Sequence, residues 1–417
     1  MEINLGGSDV VEPIVARGFA PAGAFKQTYI MRGSAAERAL DIYHLIFAPT
    51  HACNLRCRHC YLPDHYGRVM PYEQMVSLID QWEQVVLRDR GPLGGYFHLK
   101  GGEPLILPYL PKVLDYLAEK GTLRFMMTTN GTLLREDFLS SLVRLNEVLR
   151  GEVIVIVSLD GSSEQTHSML RGPNNFAASE RFSRALIEAG VNVHFNYVVH
   201  SGNLHDVPAF VDFAEEVGAA QVNFLPMVPK GYGAELGDAG RPDPEVLHAT
   251  LARLYREGGE RRRRLLAGNY ADILERERRG VKSSCECVAG YKGLFYVTPE
   301  GDVYSCPNLI AADLRVGNFL ERPLVSIHDE GLDLLYKSRV SSSPVDDRYL
   351  CRGERLAKPG AGHAARGSRA LPVLGVTKEG ADDYPAAARL LQDILLRDGK
   401  AQARATGGVS YCFSRNF

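Results

Sequence analysis

Between residues 41 and 227, short apolar runs of strand length alternate six times with stretches of helical character. The runs are Ile42–Phe47, Gly95–Lys100, Phe125–Thr128, Val153–Val157, Val193–Val199 and Gln221–Phe224. The first intervening helix, Tyr72–Arg88, places Met75, Leu78, Ile79, Trp82, Val85 and Val86 on one face at i, i+3, i+4 spacing. Tyr109–Lys120, Glu136–Leu149, Ala178–Ala189 and Asp206–Glu216 repeat the pattern. Val153-Ile-Val-Ile-Val157 lacks any polar alternation, as a strand covered on both faces should. Strand–helix alternation of this kind predicts a parallel sheet joined by crossover helices. Six repeats are too few to close an eight-stranded barrel. Parallel sheets carry their chemistry on loops at the carboxyl ends of the strands.

The segments with chemical character fall at those ends. Cys53, Cys57 and Cys60 form a CxxxCxxC array just after the first strand, with His59 before the last cysteine. Three thiolates on one short loop can share a metal centre. Zinc would want a fourth ligand nearby and usually shows paired CxxC spacing. An iron–sulfur cube takes four ligands, so three protein thiolates leave one iron open to another molecule. Gly101-Gly102-Glu103-Pro104 follows the second strand, where two glycines would let the backbone approach a ligand and Glu103 offers a carboxylate to an ammonium. Thr129 and Asn130 end the third strand. Ser158 and Asp160 end the fourth and share a side by the strand's period of two, within reach of sugar hydroxyls. Asn196 sits on the fifth strand and Leu225 ends the sixth.

The cysteine array, the Gly101–Pro104 segment and the string Thr166-His167, Arg171-Gly172, Phe176 together resemble the radical SAM superfamily. The resemblance implies an open, three-quarter (β/α)6 barrel. It implies a [4Fe-4S] cluster on Cys53, Cys57 and Cys60 whose open iron is chelated by the amino and carboxylate groups of S-adenosylmethionine. It also implies cofactor contacts at His59, Gly101, Gly102, Glu103, Pro104, Thr129, Asn130, Ser158, Asp160, Arg171, Asn196 and Leu225. Glu103 is expected at the amino group, Arg171 at the carboxylate through a two-point guanidinium fork, and Leu225 against the adenine.

Beyond residue 235 the pattern changes. Residues 236–282 read as a helical connector containing Arg261-Arg-Arg-Arg264, a run more often a solvated helix face than an acidic-partner or RNA site. Gly293–Thr298, Pro299-Glu-Gly301 and Asp302–Ser305 read as a hairpin. Cys287, thirteen residues, Gly301, four residues and Cys306 resemble the opening of the SPASM auxiliary-cluster domain, with Gly317-Asn318 following as in that family. The resemblance then falters, because Ser342, Val345 and Arg355 stand where that domain has cysteines. Eight cysteines less the three of the loop leave Cys285, Cys287, Cys306, Cys351 and Cys412, enough for one further four-ligand cluster. The expected ligands are Cys287, Cys306 and Cys351 with Cys285 or Cys412 as the fourth, and zinc on the same residues is the competing reading. The expected layout is an N-terminal arm over 1–40, the barrel over 41–235, the connector, an auxiliary-cluster domain over 283–357, and a loop, helix and tail over 358–417.

At 417 residues, with 45% hydrophobic and 24% charged residues, the composition is that of an ordinary globular protein. A net charge of −2 gives no electrostatic footprint for nucleic acid or a membrane surface, and no apolar run has the length of a membrane span. The expectation is a cytoplasmic, oxygen-sensitive enzyme whose cysteines are ligands rather than disulfides. It would need an external one-electron reductant. The string Phe224-Leu-Pro-Met-Val-Pro-Lys-Gly-Tyr-Gly233 resembles peptide-modifying members of the family, so a ribosomally made precursor peptide is the expected substrate. A small metabolite that is oxidised or epimerised is the alternative. A non-catalytic cluster protein is the alternative of another class, which the cofactor-pocket motifs argue against.

Overall fold

The computed structural model describes residues 13–15, 27–29, 43–62, 68–227, 231–266, 293–307, 310 and 314–330. In chain order, β1 (Pro13–Val15) and β2 (Gln27–Tyr29) pair antiparallel as a small separate sheet. Then come β3 (Tyr43–Phe47), α1 (Tyr72–Asp89), β4 (Gly95–Leu99), α2 (Leu110–Lys120), β5 (Arg124–Thr129), α3 (Glu136–Val148) and β6 (Ile154–Ser158). They are followed by α4 (Glu164–Arg171), α5 (Phe176–Glu188), β7 (Asn192–Val199), α6 (Val207–Val217) and β8 (Gln221–Pro226). Strands β3 to β8 lie side by side in sequence order and all pair in parallel. This is the parallel sheet that the strand–helix alternation predicts, in the open partial barrel that the resemblance implies.

Two faces of this sheet differ in kind. Phe97, Leu99, Phe125, Met127, Val155, Val157, Phe195 and Tyr197 are fully buried in the large core. That core also takes the apolar face of α1, whose Trp82 donates its indole N–H to the Tyr96 carbonyl at 3.0 Å. The alternate residues face the barrel interior, and many are polar. His44, His98, Arg124, Asn192, His194, Asn196 and Asn223 are all buried there around a small apolar group of Tyr96, Met126, Ile154 and Ile156. Burying one large apolar side chain contributes about 1.5–3 kcal/mol, so the helix-covered layer carries the stability. The interior is left free for polar chemistry.

After α7 (Pro244–Glu257) and α8 (Glu260–Leu265) the chain returns as β9 (Leu294–Val297), β10 (Asp302–Tyr304) and β11 (Gly317–Asn318). Strand β9 pairs in parallel with β3, His44 opposite Leu294 through Phe47 opposite Val297. The hairpin therefore extends the barrel sheet itself, in the order β11-β10-β9-β3-β4-β5-β6-β7-β8. The four-arginine run lies in α8, where Arg262 ties back to Asp212 and Glu215 of α6 at 2.5 and 2.8 Å.

Sequence periodicity gives no warning of α4. Its eight residues are strongly polar, too few for an apolar stripe, and Ser163 supplies the side-chain cap at its start. Among the described residues, no helix is long and apolar enough to cross a membrane.

Candidate functional site

The cysteine loop leaves β3 beside the segment that leaves β4. Lys100 N–H donates to the Phe47 carbonyl at 2.7 Å, Gly102 N–H to that of Thr50 at 2.8 Å and Glu103 N–H to that of Ala52 at 2.9 Å. Strand pairing thus continues past both strands into the loop. A Cβ on Gly101 would stand 2.4 Å from the Thr50 carbonyl oxygen, and one on Gly102 would stand 2.0 Å from that of Ala52. Gly101 also has φ near +131°, a region L side chains rarely adopt. The sequence reading had these glycines clearing space for a ligand. What they clear space for is the backbone of the cysteine loop.

Glu103 is fully buried, and its carboxylate accepts from Thr129 Oγ1 at 2.6 Å, Asn130 N–H at 2.7 Å and Leu105 N–H at 2.9 Å. Burial pushes its pKa up, while these donors and Arg171 pull the other way. Its carboxylate clamps the end of β4 to the end of β5. Asn130 then carries the clamp to the cysteine loop: its amide donates to Asn54 Oδ1 at 2.9 Å and stands 3.8 Å from Cys53 Sγ. From outside, Ser179 of α5 donates to the Asn130 carbonyl at 2.7 Å.

On the far side of the loop, Arg58 N–H donates to the Leu170 carbonyl of α4 at 2.8 Å. Arg171, the last residue of α4, places Nε 2.6 Å from Asp160 Oδ2 and Nη1 3.9 Å from Cys57 Sγ. Asp160 is fully buried and accepts from Val198 N–H at 2.7 Å through its other oxygen. Burial would raise its pKa, but Arg171, then His59 and His167, hold it below the ordinary carboxylate value. The structure thus spends Asp160 on Arg171 and the β7 backbone, where the sequence had suggested sugar hydroxyls. His59 Nε2 lies 3.6 Å from the same Asp160 oxygen, and burial lowers its pKa to about 4, so the ring is neutral near pH 7. Its Nδ1 is buried and has no hydrogen-bond partner among the described residues. His167 accepts from Asp160 N–H at its Nδ1, so its Nε2 donates to Asn175 Oδ1.

The three loop thiols share one environment. Burial pushes each thiol's pKa up, Cys57 to about 12, and at Cys53 and Cys57 neighbouring thiols add to the rise while Arg171 opposes it. Three thiolates gathered in a partly buried place need a positive centre to relieve them, which is the chemistry a bound iron–sulfur core supplies. Among the described residues, no three His, Cys, Asp or Glu side chains converge as one bound ion requires. A cube does not require that, because its ligating sulfurs stand at separate corners. The residues fit the group.

The remaining expected positions line the interior face. Asn196 accepts from Asn223 at 2.9 Å, Asn223 accepts from Gln221 at 2.6 Å, and Ser158 and Leu225 are buried at the strand ends. Pro104 opens the short 3-10 turn that Glu103 caps. Cys306 is buried just beyond β10. Cys285, Cys287, Cys351 and Cys412 lie outside the described residues, as do Ser342, Val345 and Arg355. The structure adds side chains that the motifs flank but did not mark. Lys100, directly before Gly101, has its ammonium 4.8 Å from the ring centroid of Tyr61, directly after Cys60. Burial lowers the Lys100 pKa to about 8 against the opposing pull of Cys306 and Cys60. Adjacency to a motif was the available signal for both.

Residues 47–214 match the Radical SAM superfamily. The antilisterial bacteriocin subtilosin biosynthesis protein AlbA of Bacillus subtilis (strain 168) is 26% identical over 294 residues, covering 69% of this chain and 60% of that protein. PqqA peptide cyclase of Streptomyces rochei is 28% identical over 285 residues, covering 67% of this chain and 73% of the cyclase. Among solved structures, native anSMEcpe with bound AdoMet and Cp18Cys peptide superposes with a TM-score of 0.55 at 20% identity, covering 86% of this chain and 99% of that one. Streptococcus suis SuiB bound to precursor peptide SuiA gives a TM-score of 0.55 at 16% identity, covering 73% and 69%. These structural likenesses carry the fold. Residues 47–214, which match the Radical SAM superfamily, include both the cysteine loop at the carboxyl end of β3 and the glycine segment paired against it.

Proposed function

We propose that this protein is a radical SAM enzyme that modifies a ribosomally made precursor peptide. The observation that carries the reading is the partly buried set of Cys53, Cys57 and Cys60, held from one side by Asn130 and from the other by Arg171. A [4Fe-4S] cluster on those thiolates supplies, when bound with S-adenosylmethionine, a 5′-deoxyadenosyl radical that takes hydrogen from an unactivated C–H bond. The protein's part is to position and to exclude water. Arg171, its Nε side held by Asp160, turns its other donors toward the cofactor carboxylate. Glu103 fixes the Gly101–Pro104 backbone at which the cofactor's amino group docks. His59, Ser158, Asn196 and Leu225 complete the cofactor's surroundings. Cys306 is a ligand of one auxiliary cluster, its partners coming from Cys285, Cys287, Cys351 and Cys412. An external one-electron donor reduces the enzyme.

The substrate class rests on likeness to AlbA, which by name serves bacteriocin biosynthesis, and to a PqqA peptide cyclase. A second reading has one observation in its favour. AdoMet-dependent heme synthase of Methanosarcina barkeri (strain Fusaro / DSM 804) is 26% identical over 292 residues, covering 67% of this chain, which keeps a small-molecule substrate in play. The deciding experiment reconstitutes the protein without oxygen, adds reductant and S-adenosylmethionine, and measures 5′-deoxyadenosine with and without any short peptide found encoded beside its gene. Peptide-dependent turnover with a mass change in the peptide supports the first reading. Turnover indifferent to peptide and stimulated by a small metabolite supports the second.

A further inference from the structure

We infer that His167 and Asn175 are positioning residues for Arg171. With Asp160 they close a buried cycle of contacts that sets where the guanidinium points, and through it how tightly the carboxylate of S-adenosylmethionine is held. The inference rests on the radical SAM reading above, which gives that carboxylate to Arg171.

Four contacts close the cycle. Arg171 Nε stands 2.6 Å from Asp160 Oδ2, and Asp160 N–H donates to His167 Nδ1 at 3.2 Å. His167 Nε2 donates to Asn175 Oδ1 at 2.5 Å, and Asn175 Nδ2 donates to the Arg171 carbonyl at 3.2 Å. All four side chains are buried. The proton positions follow without choice. A backbone N–H can only donate, so His167 Nδ1 carries no proton and Nε2 carries one. Asn175 Oδ1 must then accept, which leaves Nδ2 for the carbonyls of Arg171 and, at 2.9 Å, Gly172. Burial lowers the His167 pKa to about 4, so the imidazole is neutral near pH 7.

The members come from three places in the chain. Asp160 lies two residues past β6, His167 and Arg171 lie on α4, and Asn175 directly precedes α5. Gly161 lets α4 come this close, since a Cβ there would stand 2.3 Å from the His167 backbone nitrogen. Phe176 sets its ring near edge-on to the imidazole, with centroids 5.7 Å apart. Glu164 closes the turn between the helices, accepting from Asn174 N–H at 2.6 Å and Phe176 N–H at 3.1 Å. In the first turn of α5, Ser179 N–H donates to the Asn175 carbonyl at 3.1 Å and its hydroxyl to the Asn130 carbonyl at 2.7 Å. One turn of α5 therefore braces both residues that flank the cysteine loop. A helix of eight residues has little stability of its own, so Arg171 at its last position owes its direction to such contacts. His167 spends both nitrogens within the cycle, and a buried network so fully paired fixes one geometry. Arg171 reaches beyond it, with Nη1 3.9 Å from Cys57 Sγ. Partners that orient a ligand-holding side chain typically change affinity about ten- to hundredfold when removed.

The test uses the full chain, reconstituted without oxygen and kept oxidised so that S-adenosylmethionine is bound and not cleaved. Isothermal titration compares S-adenosylmethionine with decarboxylated S-adenosylmethionine, which lacks only the carboxylate. The wild type should prefer the first by about tenfold or more, the scale of a charged hydrogen bond. His167→Phe, which keeps a ring against Phe176, and Asn175→Ala should each bring the two ligands close to parity, the loss falling on S-adenosylmethionine. Ser168→Ala, beside His167 on α4 but outside the cycle, should keep the wild-type preference. If His167→Phe fails to fold by circular dichroism, Asn175→Ala decides the matter. A cycle that only holds the fold together would weaken both ligands by the same factor and leave the preference intact, and that result overturns the proposal. So does unchanged binding of both ligands in the variants. A wild type that binds both ligands equally overturns it together with the assignment of Arg171 to the carboxylate. A wild type that takes up iron at the cysteine loop but binds neither ligand overturns the radical SAM reading itself, and the proposal with it.

Discussion

Arg171 reaches both Asp160, at 2.6 Å, and Cys57, at 3.9 Å, so one guanidinium serves a fully buried carboxylate and a thiol of the cysteine loop. The pair is itself almost sealed from water, Arg171 being 9% exposed and Asp160 0%. Breaking such a pair strands a charge in a low-dielectric place. Asp160→Asn is expected to lower unfolding free energy by on the order of 3 kcal/mol, read from denaturant midpoints. Stability within a few tenths of wild type would show that the ion pair is not the anchor described above.

The glycine segment gives a sharper geometric test. Gly102→Ala drives a Cβ to 2.0 Å from the Ala52 carbonyl oxygen, a backbone atom that cannot swing aside. Iron bound on reconstitution should fall strongly, because the loop carrying Cys53 must move. Gly259→Ala, which meets nothing within 4 Å, is the control and should bind iron as wild type does. Equal iron in both variants would return the segment to an ordinary turn.

Changing Cys53, Cys57 and Cys60 together to Ala should abolish S-adenosylmethionine cleavage and leave only auxiliary-cluster absorbance. The wild type should hold about eight irons, four per cube at two sites. Cys306→Ala should remove roughly half of that iron and spare the signal of the first cluster. Iron near twelve per chain would mean that Ser342, Val345 and Arg355 are bypassed by other ligands. Iron near four, with one zinc, would make the second site structural.

A buried histidine pair is expected to weaken the fold in acid. His44 Nε2 and His98 Nδ1 are 3.0 Å apart inside the barrel, and His98 Nε2 meets Thr128 Oγ1 at 2.8 Å. Burial lowers the His44 pKa from 6.5 to about 3, and lowers that of His98 too. The unfolded chain therefore binds these protons first as pH falls. Their contribution to stability is present above pH 6.5 and is lost progressively from there down to about 3. Unfolding curves at pH 7 and pH 5 should show the loss, and His44→Gln with His98→Gln should flatten it. An unchanged slope in that double variant would place the acid sensitivity elsewhere.

Much of this protein is written locally. The six strand–helix repeats follow from apolar periods read over a few residues at a time, and the cysteine array from spacing alone. The observed bounds of β3 to β8 differ from those readings by at most two residues. What periodicity carries is a face, never a partner. Nothing near Glu103 says that its carboxylate is filled by Thr129 and Asn130, 26 and 27 residues away. Nothing near Asp160 says that Arg171, on a helix too short to show a stripe, turns back onto it. The glycines at 101 and 102 announce that something comes close, and only the paired loop shows that it is the chain itself. The hairpin at 294–304 was legible as a hairpin, but its place beside β3 depends on hydrogen bonds between residues about 250 positions apart. Such long-range pairings are chosen by the assembled sheet, and they put Tyr296 beside Ile46, in one row with His98.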